Sequence, residues 1–314
     1  MRAAPTPSAV GFQLSASLVE LSPQECNLQY DEAVLGSRRL LTALTVFAIC
    51  VIAAVASAQR IWVGRGGFGR EAPKWAKRSN FDGGFNYCRG FYTSDRREDG
   101  GMGWWTDYPG ADNNFSVRLG ELTFVRVKMD ATGQPDNVVV QLADPLLFRC
   151  PILFMEDVGT VRFTDQEVVR LREYLLKGGF LYVDDFWGTQ AWDQWVYELG
   201  RVLPPGKYPI FDIPLTHHIM HSLYDVKAIP QVSSIQFWYR NGGNVSERGW
   251  MNDSPHSDFR GVQDEHGRLM VVMTHNTDIS DTWEREGENR EYFERFSPDG
   301  YAIGVNILLY ALTH

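Results

Sequence analysis

An α/β fold is what this sequence predicts: an open, mostly parallel sheet with helices on both faces. Segments with strand character alternate along the chain with segments of helical periodicity. Residues 151–155 and 180–183 are apolar without a break, the pattern of strands buried on both faces. Between them, residues 164–177 carry helix signals at both ends, which makes the stretch a strand–helix–strand unit.

Taken in order, residues 59–80 read as a linker, rich in Gly and Arg over 61–77. Gly64, Gly66 and Gly69 match G-x-G-x-x-G there, but a dinucleotide fingerprint needs a strand before it and a helix after it, and Pro73 follows closely. Residues 85–93 alternate and are rich in aromatics, so a strand is expected, and the polar 95–103 is a loop. Asn113 or Asn114 caps a short helix ending at Leu122, with Val117, Leu119 and Leu122 inward. Strands are expected at 123–129 and 138–142. After the strand at 151–155, Thr164 and Glu167 form a capping box, each satisfying a free amide of the first turn. Val168, Leu171 and Leu175 then recur at helical spacing, and Gly178-Gly179 ends the helix because Gly accepts the left-handed C-terminal geometry. A second helix is expected over 191–203, stopped by Pro204-Pro205, with strands at 234–239 and 269–273 and an apolar helix at 300–312. No charge run or Pro/Ser-rich segment divides 81–314, so one domain is expected there.

Ahead of that domain, residues 38–58 have the three parts of a secretory signal peptide. These are Arg38-Arg39, an uncharged apolar run over 40–55, and Ala56-Ser57-Ala58 before Gln59. Ser37-Arg38-Arg39 also resembles a twin-arginine signal. An uncleaved membrane anchor competes with this reading, the run being a little short for a span of about 20 residues. The small-residue site favours cleavage. Residues 1–37 hold Pro5, Pro7 and Pro23 without sustained apolar periodicity, and are expected to be disordered or to precede the true start near Val34 or Leu35. From Gln59 onward there are 27 basic and 35 acidic residues, a net charge of -8, and two of the four cysteines, Cys88 and Cys150. An oxidising compartment permits a disulfide between them, and two separate buried thiols fit equally. The expected location is periplasmic or otherwise extracytoplasmic.

Composition narrows the class. With 13% aromatic and 44% hydrophobic residues the chain is globular rather than disordered. A pI of about 5.3 gives no general attraction to phosphate, so nucleic acid is not an expected partner.

In open parallel sheets, ligands bind beyond the carboxyl ends of the strands. That rule selects Trp104, Trp105, Asp107, Tyr108, Asp112 and Asn114 after the first strand, and Glu156 and Asp157 after 151–155. It also selects Asp184, Asp185 and Trp187 after 180–183, and His275, Asn276 and Asp278 after 269–273. Adjacent carboxylates can share a proton or bind a hard cation, which makes Asp184-Asp185 with Glu156 or Asp157 an acid/base or metal candidate. The competing reading has one Asp capping a turn and the other facing water. Trp104-Trp105 can stack on a sugar or pack internally. His217, His218 and His221 form HHIMH, but the helical zinc-protease motif needs Glu where His218 stands, and Pro214 argues for a loop. There is no G-x-S-x-G elbow, and neither Cys88 nor Cys150 sits on a glycine-flanked strand-to-helix turn.

The run FRCPILFMEDVGTVRFTDQEVVRLREYLLKGGFLYVDDFWG resembles a bacterial family known as domain of unknown function 4159. So do GWWTDYPGADNNFSVRLGELT, IPLTHHIMHSLYDV and the closing YAIGVNILLYALTH. The resemblance covers the chain from about Phe81 to its end. It implies a class I glutamine-amidotransferase-like fold, in keeping with a flavodoxin-like sheet, and an exported or membrane-anchored protein. It brings no catalytic residues. The turn where amidotransferases carry their Cys corresponds to Asp184-Asp185-Phe186, and Thr216-His217-His218-Ile219 replaces the family's usual D-H-P-I.

The function these residues lead us to expect is non-catalytic binding of a small molecule, a glycan or an envelope protein partner. Trp104, Trp105, Asp107, Tyr108, Asn114, Trp187 and Asn276 would form the binding loops. The rival expectation is a hydrolase of an envelope substrate such as a glycan, using Asp184, Asp185 and His275 with or without a metal. A structural subunit of an envelope assembly, marked by a large exposed apolar patch, is a third. No cofactor is specified by the sequence.

Overall fold

The computed structural model describes Thr42, Leu44, Thr45 and residues 71–98, 101–248 and 251–314, and among the described residues from 71 onward nine strands and six α-helices follow one another. They are β1 (Cys88–Phe91), β2 (Thr93–Ser94), α1 (Gly110–Leu122), β3 (Val138–Gln141), β4 (Ile152–Glu156), β5 (Val161–Arg162), α2 (Asp165–Leu176), β6 (Phe180–Asp184) and α3 (Gly188–Val202). Then come β7 (Phe211–Asp212), α4 (Ile235–Arg240), β8 (Asp258–Gln263), β9 (Leu269–His275), α5 (Asp281–Glu284) and α6 (Arg290–Thr313). The chain divides into two compact units, Met1–Gln59 and Arg60–His314. Of the first, only Thr42, Leu44 and Thr45 are described, all helical and exposed. The proposed start at 1–37, nearly all of the signal segment at 38–58 and the glycine motif at Gly64–Gly69 lie outside the described residues. Among the described residues, no helix is long and apolar enough to cross a membrane.

Seven strands form one sheet in the order β3-β1-β4-β6-β9-β8-β7. The first five are mutually parallel, whereas β8 runs antiparallel to β9 and β7 antiparallel to β8. Counted along the chain, the parallel strands lie in the order 2-1-3-4-5, so the winding reverses between β1 and β4. A short ribbon, β2 with β5, stands apart.

Each central strand feeds two cores because successive side chains point to opposite faces. Ile152 and Phe154 of β4 and Phe180 and Tyr182 of β6 pack with Phe115 and Leu119 of α1 and Tyr301, Val305 and Leu308 of α6. Leu153, Met155, Leu181 and Val183 pack with Leu171 and Leu175 of α2 and Trp195 and Leu199 of α3. The uninterrupted apolar runs are thus the signature of a sheet covered on both sides.

The α2 capping box forms as read: Thr164 accepts from the Glu167 amide and Glu167 accepts from the Thr164 amide at 2.8 Å. Cys88, opening β1, is disulfide-bonded to Cys150, just ahead of β4, with Cα atoms 6.0 Å apart. Part of the linker joins the sheet, since Ala76 donates to Val139 and Val139 to Lys74 across the outer edge of β3.

Four expectations are corrected. Residues 234–239 are helix α4, not a strand; the Ser234 hydroxyl caps it and Ile235 and Trp238, three apart, are buried. Residues 123–129 make no ladder, only the isolated bridges Phe85↔Val127 and Met129↔Pro135. Helices α1, α3 and α6 begin earlier than expected, at Gly110, Gly188 and Arg290, and α6 carries Pro298 in its interior. Strand β8 was not expected, because Asp258 and Arg260 interrupt its apolar pattern.

Candidate functional site

Four parallel strands deliver their following loops to one end of the sheet, beside the point where the winding reverses. Directly after β4, β6 and β9 stand Asp157, Asp185 and Asn276, with φ of 49°, 51° and 59°. In the loop after β1, Asp107 has φ 62°. Asp and Asn enter this left-handed region more readily than other non-glycine residues, since their short side chains can bond locally. After β4, β6 and β9 the turn therefore begins at the first residue past the strand, and the carboxylates of Asp107, Asp157 and Asp185 are aimed at common space.

That space is a cavity of about 560 Å³. Its walls carry Asp107, Asp157, Asp185, Asp278, Asp281, Glu247 and Glu284, opposed by Arg240, Arg248 and Arg285. Tyr108 and Trp187 supply its flat surfaces. Asp107, Asp278 and Asp281 each offer a carboxylate oxygen, all within 4.8 Å of one another, and all three residues are buried. Asp107 Oδ2 is buried without a hydrogen-bond partner. Asp278 accepts from the Asp281 amide at 2.7 Å. Asp281 accepts from the Ile235 amide at 2.7 Å and the Tyr292 hydroxyl at 3.1 Å. Arg285 pairs with Glu284 at 2.6 Å and approaches Asp281 at 3.3 Å.

Burial disfavours the charged form of these acids, and their neighbours add to it. Desolvation and then Asp281 push Asp107 well above the usual carboxylate range. Desolvation and then Asp107 do the same to Asp185, and desolvation and then Asp185 to Asp278. Asp157 is pushed up to about 7 by burial, against the pull of a 2.7 Å bond from the Gly103 amide. The cavity thus holds more negative charge than its arginines balance, and protons or a bound cation must make up the difference.

Behind the wall lies a wholly internal polar layer. Arg89, 0% exposed on β1, donates to Asp112 at 2.9 Å and to the Thr106 carbonyl at 2.8 Å, tying α1 and the cavity loop to the sheet. Burial lifts Glu156 to about 8 and Asp184 to about 6.

The residues selected from sequence separate into three groups. Asp107, Tyr108, Asp157, Asp185, Trp187 and Asp278 line the cavity. Asp184 does not: it is 0% exposed and accepts from the Ser280 amide at 2.8 Å, the Ser280 hydroxyl at 3.0 Å and the Thr274 hydroxyl. Asn114 is likewise internal, donating to the Trp283 carbonyl at 2.8 Å. Trp104 and Trp105 stack on each other at 5.1 Å, and Trp104 packs on Phe91, so these indoles brace the loop rather than line the cavity. His275 and Asn276 line a second, shallower cavity of about 310 Å³ with Trp192, Asp258 and Arg260. Both ring nitrogens of His275 face acceptors, Asp258 at 3.1 Å and the Gly188 carbonyl at 3.2 Å, which leaves neither free toward a substrate. Asp184, Asp185 and His275 therefore share no common pocket. The HHIMH histidines are also dispersed: His217 caps the Ile219 amide, while His221 pairs with Asp225 and the Leu215 carbonyl.

Sequence reading missed Asp281, Glu284, Arg285 and Glu247. The first three lie within seven residues of Asp278, so carrying the strand-end rule through the segment DISDTWER would have reached them. Glu247 comes from the excursion between α4 and β8, which no strand-end rule selects.

No curated protein matches this chain. Residues 96–312, about two thirds of the sequence, match the family described as Domain of unknown function (DUF4159), and the chain belongs to that family.

Proposed function

We propose that this DUF4159 protein is a ligand-binding protein of the cell envelope, whose ligand is a small polar molecule bringing positive charge into the strand-end cavity. One observation carries the reading: carboxylates from the loops after four neighbouring parallel strands converge on a single cavity of about 560 Å³. The position agrees with the rule that ligands bind where the winding of a parallel sheet reverses. The strand order 2-1-3-4-5 supports a flavodoxin-like reading of the sheet. Arg240 and Arg248 on the same wall offer an attachment for an anionic group of the ligand. The envelope location rests on the Arg38–Ala58 leader pattern and draws support from the Cys88–Cys150 disulfide.

The hydrolase reading draws little support from this geometry. Asp184 is spent on Ser280 and Thr274, and His275 opens on the other cavity. Asp185 stands where a nucleophile would, at a strand-to-helix turn, but without a base bonded to it. Its carboxylate accepts from Trp187 Nε1 at 2.9 Å.

The test is thermal denaturation and calorimetry of the full chain with spermidine, ethanolamine, glucosamine, glycine and, as a neutral control, glucose. A ligand of the native state raises the midpoint by mass action. A positively charged compound is expected to stabilise the protein and to lose its effect in Asp185→Ala, while keeping it in His275→Ala. A panel without any shift, or a shift untouched by Asp185→Ala, refutes the proposal.

A further inference from the structure

Asp107, Asp278 and Asp281 come from three different places in the chain: the loop after β1, the loop after β9, and the first turn of α5. Their nearest oxygens lie within 4.8 Å of one another. Like charges at that spacing in a buried site repel strongly unless something positive lies between them. The only cation bonded to the group is Arg285, among the described residues. It approaches Asp281 alone, at 3.3 Å, while also pairing with Glu284 at 2.6 Å and Glu288 at 2.8 Å. Asp107 is the independent observation. It is 8% exposed, lines the cavity, and leaves Oδ2 with no partner at all. Unpaired buried carboxylate oxygens are rare in folded proteins, because each forfeits its hydration without return.

We propose that Asp107, Asp278 and Asp281 bind a hard divalent cation, of the calcium or magnesium class, in the floor of the strand-end cavity. The donor set fits such an ion: it is all oxygen, with no thiolate or imidazole to favour zinc or copper. Three carboxylate oxygens satisfy part of a shell of six to eight, and the open side of the cavity leaves the other positions to water or to ligand oxygens. Asp107 would then gain its missing partner. Asp281, held by the Ile235 amide and the Tyr292 hydroxyl, would be the rigid member. The inference rests on the cavity being the binding site, and it deepens that reading: a metal ion on these three residues occupies the floor, while Asp157, Asp185, Glu247 and Glu284 remain for the positively charged ligand.

The experiment is calorimetric titration of the chelator-stripped full chain with Ca²⁺, Mg²⁺ and Mn²⁺, alongside thermal denaturation. One-to-one binding of at least one ion is expected, with a higher unfolding midpoint. Asp107→Asn and Asp278→Asn, which preserve shape, should weaken binding at least ten-fold, whereas the surface variant Asp253→Asn should not. If either of the first two fails to fold, Tb³⁺ luminescence sensitised by tryptophan in the wild type decides. One saturable site competed by Ca²⁺ upholds the proposal, and its absence overturns it. Absence of binding by all three ions, or binding unchanged in both variants, also overturns it. If spermidine or ethanolamine binds through Asp185 while no divalent ion does, the ligand-binding reading stands and the metal assignment falls. If neither class binds, both fall.

Discussion

The carboxylate of Asp157 accepts a 2.7 Å hydrogen bond from the Gly103 amide, joining the turn after β4 to the loop after β1. The fit is close, since a methyl group on nearby Gly101 would stand 2.3 Å from Asp157 Oδ2. Two loops that form one cavity wall are thus locked through a single acid.

That acid gives the protein an unusual response to pH. Burial raises Asp157 to about 7 and Glu156 to about 8. A carboxyl raised on folding binds its proton more tightly in the native state, so stability falls as pH rises from the unfolded value toward the folded one, and then levels off. The ligand-free wild type should therefore unfold at a higher temperature at pH 6 than at pH 8. Asp157→Asn should shrink that difference, and comparing the two cancels the histidines. Equal pH slopes in the two proteins would contradict the assignment.

Adjacent Asp184 and Asp185 should behave as opposites. Asp184→Ala strands the Ser280 and Thr274 donors in the interior and should cost about 2–4 kcal/mol in urea unfolding. Asp185→Ala removes a desolvated acid from the cavity wall, so the midpoint at pH 8 should stay or rise while ligand binding is lost. Similar losses of stability in both would refute the distinction.

Arg89→Met should destabilise the protein by about 3–5 kcal/mol, because it leaves the Asp112 carboxylate buried and uncompensated. Replacing both partners, Arg89→Met with Asp112→Leu, should recover most of that loss. Chemical denaturation of the two single variants and the double variant measures the coupling; additive losses would show that the pair does not act as one unit.

Replacing Cys88 and Cys150 with Ser opens a loop spanning a sequence separation of 62 residues. Loop-closure entropy puts the loss at about 4 kcal/mol. Reduction of the wild type should lower its unfolding midpoint to that of the double variant, and an unchanged midpoint would count against the cross-link.

Much of this was legible from the chain. The apolar runs of β4 and β6 and the Thr164–Glu167 box specify their elements locally, so the parallel core could be read without tertiary information. Strand β8 was not legible, because Asp258 and Arg260 break the apolar pattern and meet their partners, His275, Asp212 and each other, only in the folded chain. Helix α4 hid behind aromatics that suit a strand as well as a helix; its Ser234 cap decides the matter only once the chain is folded. At the site, the strand-end rule found Asp107, Asp157, Asp185 and Asp278, but adjacency in sequence misled for Asp184 and His275. Successive residues at a strand terminus point to opposite sides, so Asp184 is turned away from the cavity that Asp185 lines, while His275 and Asn276 both open on the other cavity. Asp281 lay within reach of the same rule carried through DISDTWER, whereas Glu247 comes from the excursion between α4 and β8, which no local pattern specifies.

The disulfide joins the amino ends of β1 and β4, whereas the acidic cavity opens at their carboxyl ends. The molecule is stapled at one pole and receptive at the other. Its cavity loops can diversify to admit new ligands while the cross-linked pole keeps the strands in register. For an engineer, the far pole is the part to leave alone, and the four loops of the open pole are where a new specificity can be written.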